Sequence, residues 1–127
     1  TNLFIEFPDT LFDIFHGGFP FTGEMGSLAL MFPNVSLNTC WLPLISSTSF
    51  QRAFSEWLSY VPAGKFLWGG DCHCVEGVYG AVFMMRQTLS EVLARTIESG
   101  EMDKESALEV ARGILHDNAA RLFRLPL

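Results

Sequence analysis

Three times along this chain a short apolar run is broken by glycine or proline and followed by a stretch with helical spacing. That alternation constrains the fold more than any other feature, because strands alternating with helices of this length join as βα units into a parallel sheet. The first run is Leu11-Phe12-Asp13-Ile14-Phe15-His16, stopped by Gly17-Gly18. Residues 24–32 then carry Met25, Leu28, Ala29 and Phe32 on one helical side, and Pro33-Asn34 ends them. The second run, 35–40, alternates at period two and is broken by Trp41-Leu42-Pro43. Ser49 is placed to cap a helix over 50–60, in which Phe50, Phe54, Trp57 and Leu58 keep helical spacing. The third run, 65–70, passes through Asp71-Cys72-His73-Cys74 into a helix over 77–99 with a stripe of Val78, Val82, Met85, Leu89, Val92 and Leu93. Gly100 supplies its stop.

The tail has no further strand pattern. Asp103 can cap a helix reaching about 116, with Ala107, Leu108, Ala111, Ile114 and Leu115 as its stripe, and 118–123 reads as a short last helix. The expected class is therefore α/β, with βα units over 1–99 and terminal helices over 100–127. Apolar residues at 49% against 17% charged give a core-forming rather than a disordered chain. Twelve Phe and three Trp either fill that core or cover surfaces that meet partners.

The same composition excludes several partners. A net charge of −6 leaves no basic stripe for a nucleic-acid backbone. Every apolar stretch is interrupted well short of the roughly 20 residues a membrane span needs. Cys40, Cys72 and Cys74 are an odd set with one C-x-C pair, which is not a disulfide framework; reduced thiols in a cytoplasmic protein are the simpler expectation. The chain opens on Thr1-Asn2-Leu3-Phe4 and is expected to come from inside a larger chain or from a processed end.

In parallel α/β sheets the residues just past the strand ends share one rim, where ligands bind. The candidates on that rim are His16, Cys40 with Trp41, and Asp71 with His73. Asp71 follows an apolar strand and two glycines, and a carboxylate there can hold a metal ion and accept a proton; the alternative is a helix-capping Asp. His16 can ligate metal, polarise a carbonyl or move a proton, or else be a hydrogen-bonded core histidine. Cys72-His73-Cys74 has soft ligands without the usual zinc spacing. Cys40 has no evident base to make it a nucleophile. Asp13, on the strand face opposite His16 if alternation holds, reads as structural, and His116 as surface or capping. No phosphate loop is present, since Gly17-Gly18 and Gly69-Gly70 are only pairs.

Taken together, Phe15-His16-Gly17-Gly18-Phe19-Pro20-Phe21, Phe32-Pro33-Asn34-Val35, the Cys40-Trp41 strand end, Leu67-Trp68-Gly69-Gly70-Asp71-Cys72-His73 and Ile114-Leu115-His116-Asp117-Asn118-Ala119-Ala120-Arg121-Leu122-Phe123 resemble the C-terminal half of amidohydrolase-superfamily enzymes, in the branch called amidohydrolase family 2. That branch includes decarboxylases, lactone hydrolases and the amidohydrolase-like part of some glutamine-synthetase-type fusions, with uronate isomerases more distant. The resemblance implies a partial TIM (β/α)8 barrel, its last three βα units, closed by a C-terminal helical cap. A whole barrel takes about 200 residues or more, so 127 residues would be one portion of it.

The resemblance further implies that His16 and Asp71 are catalytic residues and metal ligands, the latter also a proton acceptor; Trp41, His73 and Cys40, from their places at the strand ends, are the expected substrate contacts. The metal would be a divalent ion, zinc first and manganese next. The first-strand His-x-His pair and the fifth-strand histidine of the family would lie before Thr1, and Gly70 replaces the commoner Ser or Thr before the aspartate. The expected partners are a small-molecule substrate and either the missing N-terminal barrel half or a second copy, because three strands leave two open edges. The leading function is metal-assisted hydrolysis of a small carboxylate- or carbonyl-bearing substrate by the whole barrel. Alternatives are decarboxylation, uronate-type isomerisation, a non-catalytic assembly module, and an unrelated doubly wound domain with a ligand crevice at its switch point.

Overall fold

A computed structural model of the chain describes residues 2–125. Its elements are α1 (Asn2–Glu6), β1 (Phe12–Ile14), α2 (Thr22–Met31), β2 (Val35–Asn38), α3 (Leu42–Ile45), α4 (Ser47–Leu58), β3 (Phe66–Leu67), α5 (Val75–Glu98), α6 (Lys104–Arg112) and α7 (Asn118–Leu122). The three strands form one parallel sheet in the order β1-β2-β3. Phe12 pairs with Val35, Asp13 with Ser36 and Ile14 with Leu37; Leu37 then pairs with Phe66 and Asn38 with Leu67. The strand order follows the sequence without reversal, so these three strands offer no switch point of the doubly wound kind.

Side chains alternate across a strand, so this register sorts them into two faces. Phe12, Ile14, Val35, Leu37 and Phe66 share one face and join a single apolar cluster with Phe50, Phe54 and Trp57 of α4, Met85, Leu89 and Val92 of α5, and Ile114. Phe54 meets Phe66 edge-on at 5.1 Å between ring centroids, and Trp57 stacks on Phe66 at 6.3 Å. The other face carries Asp13, Ser36, Asn38 and Leu67.

The strands are shorter than the apolar runs. Residue 15 begins a 3-10 turn through Gly18, within which His16, Gly17 and Gly18 all have positive φ. Gly17 sits under Trp57, where a Cβ would come within 2.5 Å of the indole, and a Cβ on Gly18 would lie 2.0 Å from Met25. Both positions therefore need glycine for space as well as for backbone conformation. The Trp57 indole N–H is satisfied by the Thr22 carbonyl at 2.9 Å.

Two helices lie outside the expected pattern. α1 rests on the sheet end, with Phe4 packed 4.9 Å from Phe12 and 5.4 Å from Phe32. α3 forms through Pro43, which falls in the first turn, where a missing N–H costs nothing. That shifts the start of α4, whose cap is Ser46 rather than Ser49: the Ser46 hydroxyl accepts from the Ser49 N–H at 3.1 Å. Asp103 does cap α6, accepting from Ser106 N–H at 2.8 Å, and Gly100 adopts φ 78 where α5 stops.

The tail is continuous rather than two separate helices. Residues 113–117 form one π-helical turn that joins α6 to α7. The wider turn re-phases the helix, and Asn118 then points at the sheet. Its amide donates to the carbonyls of Ala63 and Phe66, both at 2.9 Å. Arg121 adds a bond to the Gly64 carbonyl at 2.7 Å. The Asn-Ala-Ala-Arg segment thus clamps the tail to the entry of β3. Among the described residues no helix is long and apolar enough to cross a membrane.

Candidate metal centre at the strand ends

The chain leaves each strand through a non-glycine residue in the left-handed region: His16 at φ 60, Trp41 at φ 59 and Asp71 at φ 43. Such conformations cost about 1–3 kcal/mol each and persist only where the surroundings enforce them. Among the described residues the only other non-glycine example is Arg124. Strain is therefore concentrated on one rim, at the three residues that follow successive parallel strands.

What the rim gathers is a donor set. His16, Cys40 and Asp71 offer a ring nitrogen, a sulfur and a carboxylate oxygen that lie within 4.8 Å of one another. His16 Nδ1 is 3.0 Å from the Cys40 carbonyl and 3.6 Å from Cys40 Sγ. The carbonyl can only accept, so Nδ1 carries the proton when this bond is made. Trp41 flanks the imidazole at 6.5 Å between centroids, and its indole N–H donates to the Asp71 backbone carbonyl. The Trp41 ring thus ties the exit of β3 to that of β2. The Asp71 carboxylate is exposed and takes no hydrogen bond among the described residues.

Nitrogen, thiolate and carboxylate ligands are the donor types zinc takes, and three protein ligands plus water make a catalytic site. Donors within 4.8 Å need only a small closing movement to reach coordination distances, and Asp71 is free to make it. The residues present therefore fit a divalent ion. His73 stays outside this cluster, exposed on the loop before α5. Burial above all pushes the Cys40 thiol up; a His16 hydrogen bond opposes this, and the charges of Asp71 and Asp13 add to it. A free nucleophilic thiolate is disfavoured accordingly.

Behind the rim stand Asn38, which the sequence reading missed, and Asp13, which it took as structural. Asn38 Nδ2 donates to Asp13 Oδ2 at 2.9 Å, and Asn38 Oδ1 accepts from the Cys40 N–H at 3.0 Å. A line of hydrogen bonds thus runs from Asp13 through Asn38 and Cys40 to His16. The signal was available: Ser36 and Asn38 are the polar positions of a strand whose other residues are all core. Asp13 Oδ1 is buried and has no partner among the described residues, and burial raises its carboxyl above the ordinary value, with the Asn38 bond opposing.

The pH consequence has a definite sign. Between the ordinary carboxylate value and the raised one, the folded chain holds a proton that the unfolded chain has lost, so stability falls as pH rises through that window. Asp13→Asn keeps an acceptor for Asn38 and removes the titration. Urea midpoints measured from about pH 3 to pH 7 are expected to lose this slope in the variant.

Helical grooves do not compete as sites for this chemistry. A depression of about 500 Å³ between α4 and α5 is lined by Gln51, Arg52, Arg95 and Glu101, away from the strand ends. Residues 1–125 match the amidohydrolase family profile. The chain belongs to the amidohydrolase family. It is 31% identical over 126 residues to Protein fluG of Emericella nidulans, an alignment covering 98% of this chain and 15% of that protein. Its fold matches a Lactobacillus casei ATCC 334 protein provisionally described as a metal-dependent hydrolase, with a TM-score of 0.73 and 23% identity, over 91% of this chain and 31% of the other. The chain thus spans less than a third of either relative, and the amidohydrolase match extends over both the rim and the helical tail.

Proposed function

We propose that this amidohydrolase segment supplies the last three βα units of a (β/α)8 barrel, and that the complete barrel is a metal-dependent hydrolase of a small carboxylate- or carbonyl-bearing molecule. The observation that carries this reading is the convergence of His16, Cys40 and Asp71 donors at three successive parallel strand ends. The ion that fits best is zinc, with manganese second, and when bound it would supply Lewis acidity at the rim. Asp71 would hold it through its carboxylate and would accept a proton from the attacking water. His16 would present its imidazole to the same point. Trp41 walls the substrate side, and Cys40 and His73 complete the contact surface.

The partner follows from what is left open. Among the described residues β1 and β3 each have one unpaired edge. On α5, Val75, Tyr79 and Phe83 recur every fourth residue and are exposed by 81%, 76% and 60%. Open edges and an apolar helix stripe suit closure by the rest of the barrel or by a second copy.

The test is co-expression of this chain with the preceding barrel portion of an amidohydrolase-family protein, followed by metal analysis and a screen of lactones, amides and small carboxylic acids. We expect about one zinc per complex and turnover that a chelator abolishes, with none from the chain alone. Product analysis separates hydrolysis from decarboxylation or isomerisation. Turnover by the isolated chain would sink the fragment reading. A well-formed, metal-free and inert complex would instead leave an assembly module.

A further inference from the structure

We infer that Cys40 is itself a metal ligand, so that His16, Cys40 and Asp71 alone give this chain a zinc-type site with mixed nitrogen, sulfur and oxygen donors. The inference rests on the reading of the rim as a metal centre and deepens it, by assigning the Cys40 sulfur as a bonded ligand where the donor set alone gives proximity.

The geometry is quantitative. Zinc bonds to sulfur at 2.3 Å and to imidazole at 2.0–2.1 Å, and a tetrahedral angle between them separates the two donor atoms by about 3.6 Å. Cys40 Sγ and His16 Nδ1 are 3.6 Å apart. The pair is thus already spaced as one edge of a zinc tetrahedron. The third corner is Asp71, whose oxygen lies within 4.8 Å of both and is bound to nothing among the described residues. The fourth corner opens to solvent on the exposed side, as a catalytic zinc requires. Cys40 itself is only 1% exposed, and Asn38 fixes its backbone N–H, so the sulfur is held in place before an ion arrives.

Ligation moves two protons. The thiol loses its proton to solvent as the metal–sulfur bond forms. The imidazole proton passes through water from Nδ1 to Nε2, and the Nδ1 lone pair turns from the Cys40 carbonyl to the ion. No oxidant or reductant is involved.

The chain with Cys72→Ser and Cys74→Ser retains Cys40 as its single thiol, so cobalt(II) can report on it without touching a buried residue. We expect one cobalt per chain, tetrahedral d–d absorption and a thiolate-to-cobalt charge-transfer band in the near ultraviolet. Adding Cys40→Ser is expected to abolish the band and weaken cobalt binding at least about tenfold. Tetrahedral cobalt without the charge-transfer band would overturn the role of Cys40 while leaving His16 and Asp71 as metal ligands. Absence of any cobalt binding would overturn the three-residue site, and the metal dependence of the completed barrel would then stand or fall by the co-expression test.

Discussion

Asn118→Ala is expected to destabilise the chain by roughly 1–4 kcal/mol, as the loss of two hydrogen bonds, one of which leaves the buried Phe66 carbonyl unpaired. Asn118 is 7% exposed, and its amide nitrogen serves the Ala63 and Phe66 carbonyls at 2.9 Å each. Both carbonyls stand at the entry of β3, where the chain leaves a 3-10 turn; the Ala63 carbonyl keeps the Phe66 N–H of that turn, whereas the Phe66 carbonyl is buried and loses its side-chain donor. An orphaned buried carbonyl costs about 1–3 kcal/mol. Asn118→Asp should be no milder, because a carboxylate turns acceptors toward acceptors. Gln is one methylene too long for a side chain that already packs on Gly113, whose added Cβ would meet the Asn118 amide at 3.0 Å. The measurement is the urea midpoint of wild type and variants at one pH. A change below about 0.5 kcal/mol would mean that apolar packing of Ile114 and Ala120, not the amide, holds the tail.

That clamp also shows where sequence reasoning stops. The alternation of runs found all three strands and their parallel pairing, though not their order, because a buried parallel strand leaves a period that survives without tertiary information. Local chemistry found the Asp103 cap and the Gly100 stop for the same reason. The π turn over 113–117 was invisible, since it is forced by the distance between Asn118 and β3, which are far apart in the chain. Pro43 was read only as closing the second strand, whereas it also opens α3, where a first-turn proline is harmless. At the rim, His16 and Asp71 were legible from their places after strands. The pairing of Cys40 with His16 was not, because it depends on left-handed turns at His16 and Trp41 that no propensity predicts for these residue types. Asp13 was set apart from His16 because strand alternation was extended through residue 16, whereas β1 ends at Ile14, and Asn38 was missed because its partners lie on other segments of the chain.

Asp71→Asn is expected to separate function from folding. In the completed barrel it should lower kcat/KM by about 10²- to 10⁴-fold, the range for loss of a positioned acid or base, and reduce retained metal as well. Asn keeps the size of Asp but surrenders the charge and the ability to accept a proton. Stability should hardly move. The Asp71 carboxylate is exposed and bonded to nothing among the described residues, and Asn tolerates φ 43 at least as well as Asp does. Trp41→Phe is the useful contrast: it removes the indole N–H from the Asp71 carbonyl but keeps an aromatic wall, so its effect should fall on KM more than on kcat. The left-handed backbone at 71 has two competing explanations. If strain is tolerated there because the carboxylate must face the ion, Asp71→Gly should relieve it and raise the urea midpoint while destroying metal binding. If Asp71→Gly instead leaves metal content and turnover intact, the conformation belongs to the turn into α5 and the carboxylate has no part in the chemistry.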